Sequence, residues 1–154
     1  MALRWFSVVA ALAAATPANA QRVTEFGIQA IGTLSDPALA VGGLYGAWRP
    51  SSRGRISAGF GVGGSGGDSA WRGEVLGHFL LAPGRKRGPG VYLAGGVAVV
   101  GGPADRGYLV LAAGVEGRPG GPSGWFAEAG VGGGARLAAG YRWRWFPDWW
   151  RLVP

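Results

Sequence analysis

The chain has 154 residues, a length suited to one domain, with Gly at 32 positions, no Cys, 48% hydrophobic residues and a formal net charge of +7. The apolar fraction is too high for disorder, the glycines follow no G-X-Y period, and without Cys neither a disulfide framework nor a Cys-based zinc site can form. Nucleic-acid binding is also excluded: the basic residues are scattered, and their one cluster, Arg85-Lys86-Arg87, lies in a turn-like stretch between Pro83 and Pro89.

Residues 1–20, MALRWFSVVAALAAATPANA, combine Arg4, an apolar run from Trp5 to Ala15 and the small-x-small triplet Ala18-Asn19-Ala20. That pattern predicts a cleavable secretory signal peptide, with Gln21 as the first mature residue. The run is short of the roughly 20 residues that a membrane-spanning helix needs. Gly, Pro or charge interrupts every later apolar stretch.

Eight segments of roughly ten residues then alternate or nearly alternate in polarity, separated by Gly, Pro, Ser and Asp clusters that make turns. They are 23–32, 38–48, 53–63, 69–81, 90–100, 106–117, 124–133 and 135–146. Successive side chains on a strand point to opposite faces, so each segment divides into two sets. In the first, Phe26, Ile28 and Ala30 oppose Glu25, Gly27 and Gln29. In the third, Ile56, Ala58, Phe60 and Val62 oppose Arg55 and Ser57, and in the fourth, Trp71, Val75, Phe79 and Leu81 oppose Arg72, Glu74 and His78. The sixth sets Leu109, Leu111, Ala113 and Val115 against Arg106, Tyr108, Ala112 and Glu116; the seventh sets Trp125, Ala127, Ala129 and Val131 against Glu128. The eighth, RLAAGYRWRW, sets Leu137, Ala139, Tyr141, Trp143 and Trp145 against Arg136, Arg142 and Arg144. The second and fifth are apolar on both faces, and their facing stays open.

One face therefore carries charges of both signs, as a polar lumen filled by paired side chains would, although the wet face of a soluble sandwich would accept them too. The aromatics discriminate. Trp48, Trp71, Trp125, Tyr141, Trp143 and Trp145, with Tyr92 and Phe146, fall mostly at segment ends, while small and aliphatic residues fill the middles. This is the interfacial girdle of a transmembrane barrel. The expected fold is an all-β, eight-stranded antiparallel up-and-down transmembrane barrel over residues 21–146, with residues 147–154 as a short periplasmic tail.

From residue 22 to 146 the chain resembles the small eight-stranded outer-membrane barrels of the OmpA/OmpX type. In the last segment, Gly140, Trp143 and Trp145 look like the signal by which such barrels are handed to their assembly machinery. Members typically finish on an aromatic residue, whereas this chain continues as FPDWWRLVP. The resemblance implies an outer-membrane address, with outer-membrane lipid and the barrel-assembly machinery as partners, and a monomer.

With both termini periplasmic, the turns at 33–37, 63–68, 102–106 and 132–134 face outward. They are short against the usual asymmetry of these barrels, which disfavours an adhesin. Glu25, Arg55, Arg72, Glu74, His78, Arg106, Glu116, Glu128, Arg136, Arg142 and Arg144 are the candidate lumen network. Ser57, His78 and Glu74 share a face, so a catalytic triad can be drawn, but a nucleophile inside a packed lumen cannot reach lipid. Asp36, Asp68 and Asp105 are ordinary turn residues that could also bind a cation; no metal site or cofactor is expected. The leading reading is a non-enzymatic envelope protein with a plugged lumen. Behind it stand a secreted soluble barrel or sandwich that binds an apolar ligand and, third, a lipid-modifying outer-membrane enzyme.

Overall fold

The computed structural model describes residues 23–103 and 105–148. The expected cleavage before Gln21 and the tail from 149 onward lie outside the described residues.

Eight strands follow one another: β1 (Val23–Leu34), β2 (Leu39–Arg49), β3 (Gly54–Ser65), β4 (Asp68–Leu80), β5 (Pro89–Gly101), β6 (Arg106–Gly117), β7 (Ser123–Val131) and β8 (Ala135–Trp145). Each pairs antiparallel with the next, and β8 returns to β1 through a register that sets Thr24 against Trp145 and Leu34 against Ala135. The sheet closes into a barrel and leaves no free strand edge, which stabilises a strand-rich chain with no disulfide.

The turns fit the strands they join. Ser65 pairs with Asp68, and between them Gly66 and Gly67 both take positive φ, at 62° and 97°, as a two-residue hairpin of the strand-twist-matching kind requires. At the end that carries residues 23 and 145, the connections span 50–53, 81–88 and 118–122; at the other they span 35–38, 66–67, 102–105 and 132–134.

Burial alternates along every strand and resolves the two ambiguous ones. In β2, Leu39, Val41, Tyr45, Ala47 and Arg49 point inward while Leu44 and Trp48 point out. In β5, Tyr92, Ala94 and Ala98 point inward while Val91, Leu93, Val97 and Val99 point out. Tyr92 is therefore not a girdle residue: it is fully buried inside the barrel. Inward glycines make room for such rings. A Cβ at Gly114 would collide with the Tyr92 ring, and one at Gly140 with the Phe126 ring and the Ile28 carbonyl.

The molecule is inside out relative to a protein folded in water. Among the described residues, its outer surface exposes 22 large hydrophobic side chains, including Ile28 at 52%, Leu109 at 80% and Leu111 at 65%. Among the described residues, the charged side chains exposed on strands are only Asp68 and Arg106, the first residues of β4 and β6. The expected girdle is asymmetric. Trp48, Trp125, Trp143 and Trp145 ring the end that carries residues 23 and 145, with Tyr141 packed edge-on to Trp143. At the opposite end Trp71 stacks on Phe60.

Candidate functional site

Parity on seven strands sends the charged side chains into one space about the barrel axis. Ten charged residues are buried there: Glu25, Glu74, Glu116 and Glu128 with Arg49, Arg55, Arg72, Arg136, Arg142 and Arg144. A buried charge is tolerated only when paired and hydrogen-bonded, and the geometry supplies both in two linked groups.

The larger group lies toward the end that carries residues 23 and 145. Arg49 Nε donates to Glu25 at 2.7 Å, and Arg142 Nη1 reaches Glu25 at 3.4 Å and Glu116 at 3.3 Å. Glu116 also accepts from Arg55 Nη1 at 3.0 Å and from Arg144 Nη2 at 2.6 Å. Aromatic faces cover the cations. The Arg142 guanidinium sits 3.9 Å from the centre of the Phe126 ring and 4.8 Å from that of Tyr45, and Arg55 lies 4.7 Å from that of Tyr92. The second group joins Arg72 to Glu74 at 3.0 Å, Arg136 to both Glu74 and Glu128, and the Tyr92 hydroxyl to Glu128 at 2.8 Å. Tyr92 connects the groups, because its oxygen also accepts from Arg142 Nη2 at 3.4 Å.

His78 belongs to this lattice. Arg55 Nη2 can only donate, so His78 Nδ1 accepts from it at 3.2 Å and the ring proton sits on Nε2, which donates to Ser57 Oγ at 2.8 Å. The Ser57–His78 pair exists, but an arginine occupies the position where a triad needs a carboxylate, and Glu74 is bound to Arg72 and Arg136 instead. The ring gives its proton to the serine and is not placed to take one.

The turn after β6 folds into the adjoining mouth. Arg49 Nη2 donates to the Pro119 carbonyl at 3.0 Å, and Arg144 Nη1 to the carbonyls of Arg118 and Gly121 at 3.2 and 3.3 Å, while Pro119 is fully buried. Arg118 holds φ at +48°, a strained value for a residue other than Gly.

All the expected network residues meet here except Arg106. It has the inward parity of its strand but stands exposed at the opposite mouth, because a first strand residue sits level with the rim. Arg49, Tyr45, Tyr92 and Phe126 complete the lattice without having been expected in it. Counting back by twos from Arg49 would have oriented β2 and placed Tyr45 inside. Gly140 serves as the seat of the Phe126 ring. Among the described residues no group of His, Asp and Glu could hold a metal ion.

Fold and interior together define a closed eight-stranded antiparallel barrel with an ion-paired interior and an apolar wall. The crystal structure of the N-terminal β-barrel domain of Pseudomonas aeruginosa OprF shares that fold, with a TM-score of 0.65 at 13% identity over 81% of this chain and 98% of that one. No family model matches the chain, and no protein of curated function does.

Proposed function

We propose that this chain is a non-enzymatic outer-membrane barrel, exported by a signal peptide at residues 1–20, whose interior is plugged and whose role is structural or interactive within the envelope. The observation that carries the reading is the reversal of burial: large apolar side chains cover the wall while ten charges occupy the axis. In water such a surface would far exceed the apolar patches that monomeric soluble proteins expose, whereas a bilayer solvates it. Strands of 9–13 residues match the length that crosses a membrane at a tilt. The likeness to the OprF barrel domain supports the same placement. Outer-membrane lipid and the assembly machinery are the expected partners, with Gly140, Trp143 and Trp145 as the recognition element and a monomer as the functional unit.

The soluble alternative needs a large apolar chamber for its ligand, and ion pairs lie along the axis instead. The enzymatic alternative needs a base beside a nucleophile, and His78 is oriented as a donor. Carbonate washing of cell membranes separates the readings: retention of the protein in the pellet is expected, and its release into the wash would return the soluble barrel to first place.

A further inference from the structure

At the mouth bordered by the short turns, a cavity of about 200 Å³ opens over Leu39 and Ala70, which belong to an apolar cluster with Ile31, Val41 and Ala138. Of the polar side chains that line it, two are buried and come from different walls, Thr33 from β1 and Arg72 from β4. Thr33 is 3% exposed and Arg72 1%. Each carries a buried atom that finds no partner among the described residues: Thr33 Oγ1 and Arg72 Nη2. The guanidinium is held in place by its other nitrogens, Nε on Glu74 at 3.0 Å and Nη1 on the Gly132 carbonyl at 3.1 Å. Gly132 also lines the cavity, and a Cβ on it would stand 3.1 Å from Nη2, so the missing side chain keeps the approach to that nitrogen open.

A guanidinium nitrogen can only donate, so whatever satisfies it must accept, and the threonine hydroxyl can donate to the same group. Behind the cavity Arg72 and Arg136 balance Glu74 and Glu128, and at the rim Arg106 stands against Asp36, so the preference for an anion comes from the open guanidinium nitrogen itself. The volume falls below the roughly 300–1,000 Å³ of sites for drug-sized ligands. We infer that this mouth binds a small oxyanion of the phosphate type, free or as the terminal group of a lipid, through Arg72 Nη2 and Thr33 Oγ1 with Arg106 at the entrance. The inference rests on the barrel geometry and does not depend on which way the barrel faces in a membrane.

The test uses the folded protein in zwitterionic detergent, titrated with inorganic phosphate at constant ionic strength against a chloride reference and followed by amide and arginine side-chain NMR. Saturable shifts are expected at Thr33, Arg72 and Gly132. Removing one charge-assisted donor should weaken binding about tenfold in Arg72→Lys, and losing the hydroxyl in Thr33→Val about fivefold, with the second variant sparing the salt bridges. A parallel arm dopes the micelles with phosphatidic acid in place of free phosphate. A response to inorganic phosphate identifies a free ion as ligand, and a response to phosphatidic acid alone identifies a lipid headgroup. No saturable response to either probe at these residues, shifts confined to the 85–87 turn, or binding unchanged in both Thr33→Val and Arg72→Lys would overturn the inference.

Discussion

Glu116 stands among three guanidinium groups, with Arg55, Arg142 and Arg144 at 3.0, 3.3 and 2.6 Å. Removing one partner of a buried ionic cluster leaves uncompensated charge behind, at a cost of about 3–5 kcal/mol. Glu116→Gln, nearly isosteric, should therefore lower the reversible unfolding stability in lipid vesicles by that order. Adding Arg144→Met should recover part of the loss, because it removes one orphaned cation. A single substitution that unfolds at the wild-type urea midpoint would mean that Glu116 does not hold the cluster together. Most members of this cluster are legible in the sequence, because parity on a strand is strict: Arg142 and Arg144 cannot share a face with Trp143. Parity assigns a face and says nothing of height, which is why Arg106 reads as a lumen residue and sits at the rim. Arg49 escapes for another reason: the second apolar segment ends at Trp48, one residue short of it, and Leu39, Val41 and Ala47 are as apolar as the outward residues of that strand.

The same alternation makes whole strands predictable where one face is charged and silent where neither is. The eight segments coincide with the eight observed strands to within about two residues at each end, a margin ordinary for strand boundaries. On β5, Tyr92 at a segment end reads equally well as an interfacial residue, and only its pairing with Gly114 and its bond to Glu128 place it within. Ala112 points inward as expected, but its neighbours are Leu76, Ala94, Ala98 and Val110, an apolar patch and not the ion pairs. A depth series along the outer wall tests the facing more cleanly than an inward substitution would. Leu111 lies in the middle of β6 and Leu34 at the end of β1, and both are exposed, at 65% and 69%. In a bilayer, Leu111→Arg should cost roughly 2–4 kcal/mol and Leu34→Arg about 0–1 kcal/mol, because the charge penalty falls from midplane to interface. Unfolding titrations in vesicles read both. Equal and negligible losses would mean that the wall faces water.

At the scale of the whole barrel, eight strands enclose a space that side chains can fill, and here side chains meet across it in layers. The turn at 118–122 is held in one mouth by Arg49 and Arg144, and behind it Arg142 is sandwiched among Phe126, Tyr45 and Tyr92 while bridging Glu25 and Glu116. The Arg136 bridge between Glu74 and Glu128 crosses the axis beyond that, followed by the apolar cluster around Ile31 and Val41. On the proposed plugged reading, a solute would have to break several of these at once. Planar-bilayer recordings of the wild-type barrel should therefore show no large, stable, solute-permeable channel. The layered arrangement makes a sharper claim about the turn. Truncating both latches, Arg49→Ala with Arg144→Ala, frees the Pro119 carbonyl from its donor and should loosen the turn, seen as faster amide hydrogen exchange at 118–122. Conductance should nevertheless stay closed, because the Arg142 and Arg136 layers do not depend on the turn for their partners. If the latch variant conducts, the turn together with the Arg49–Glu25 and Arg144–Glu116 pairs is the plug, and the Arg142 and Arg136 layers do not close the path; if the wild type conducts, the interior is not filled as these contacts require.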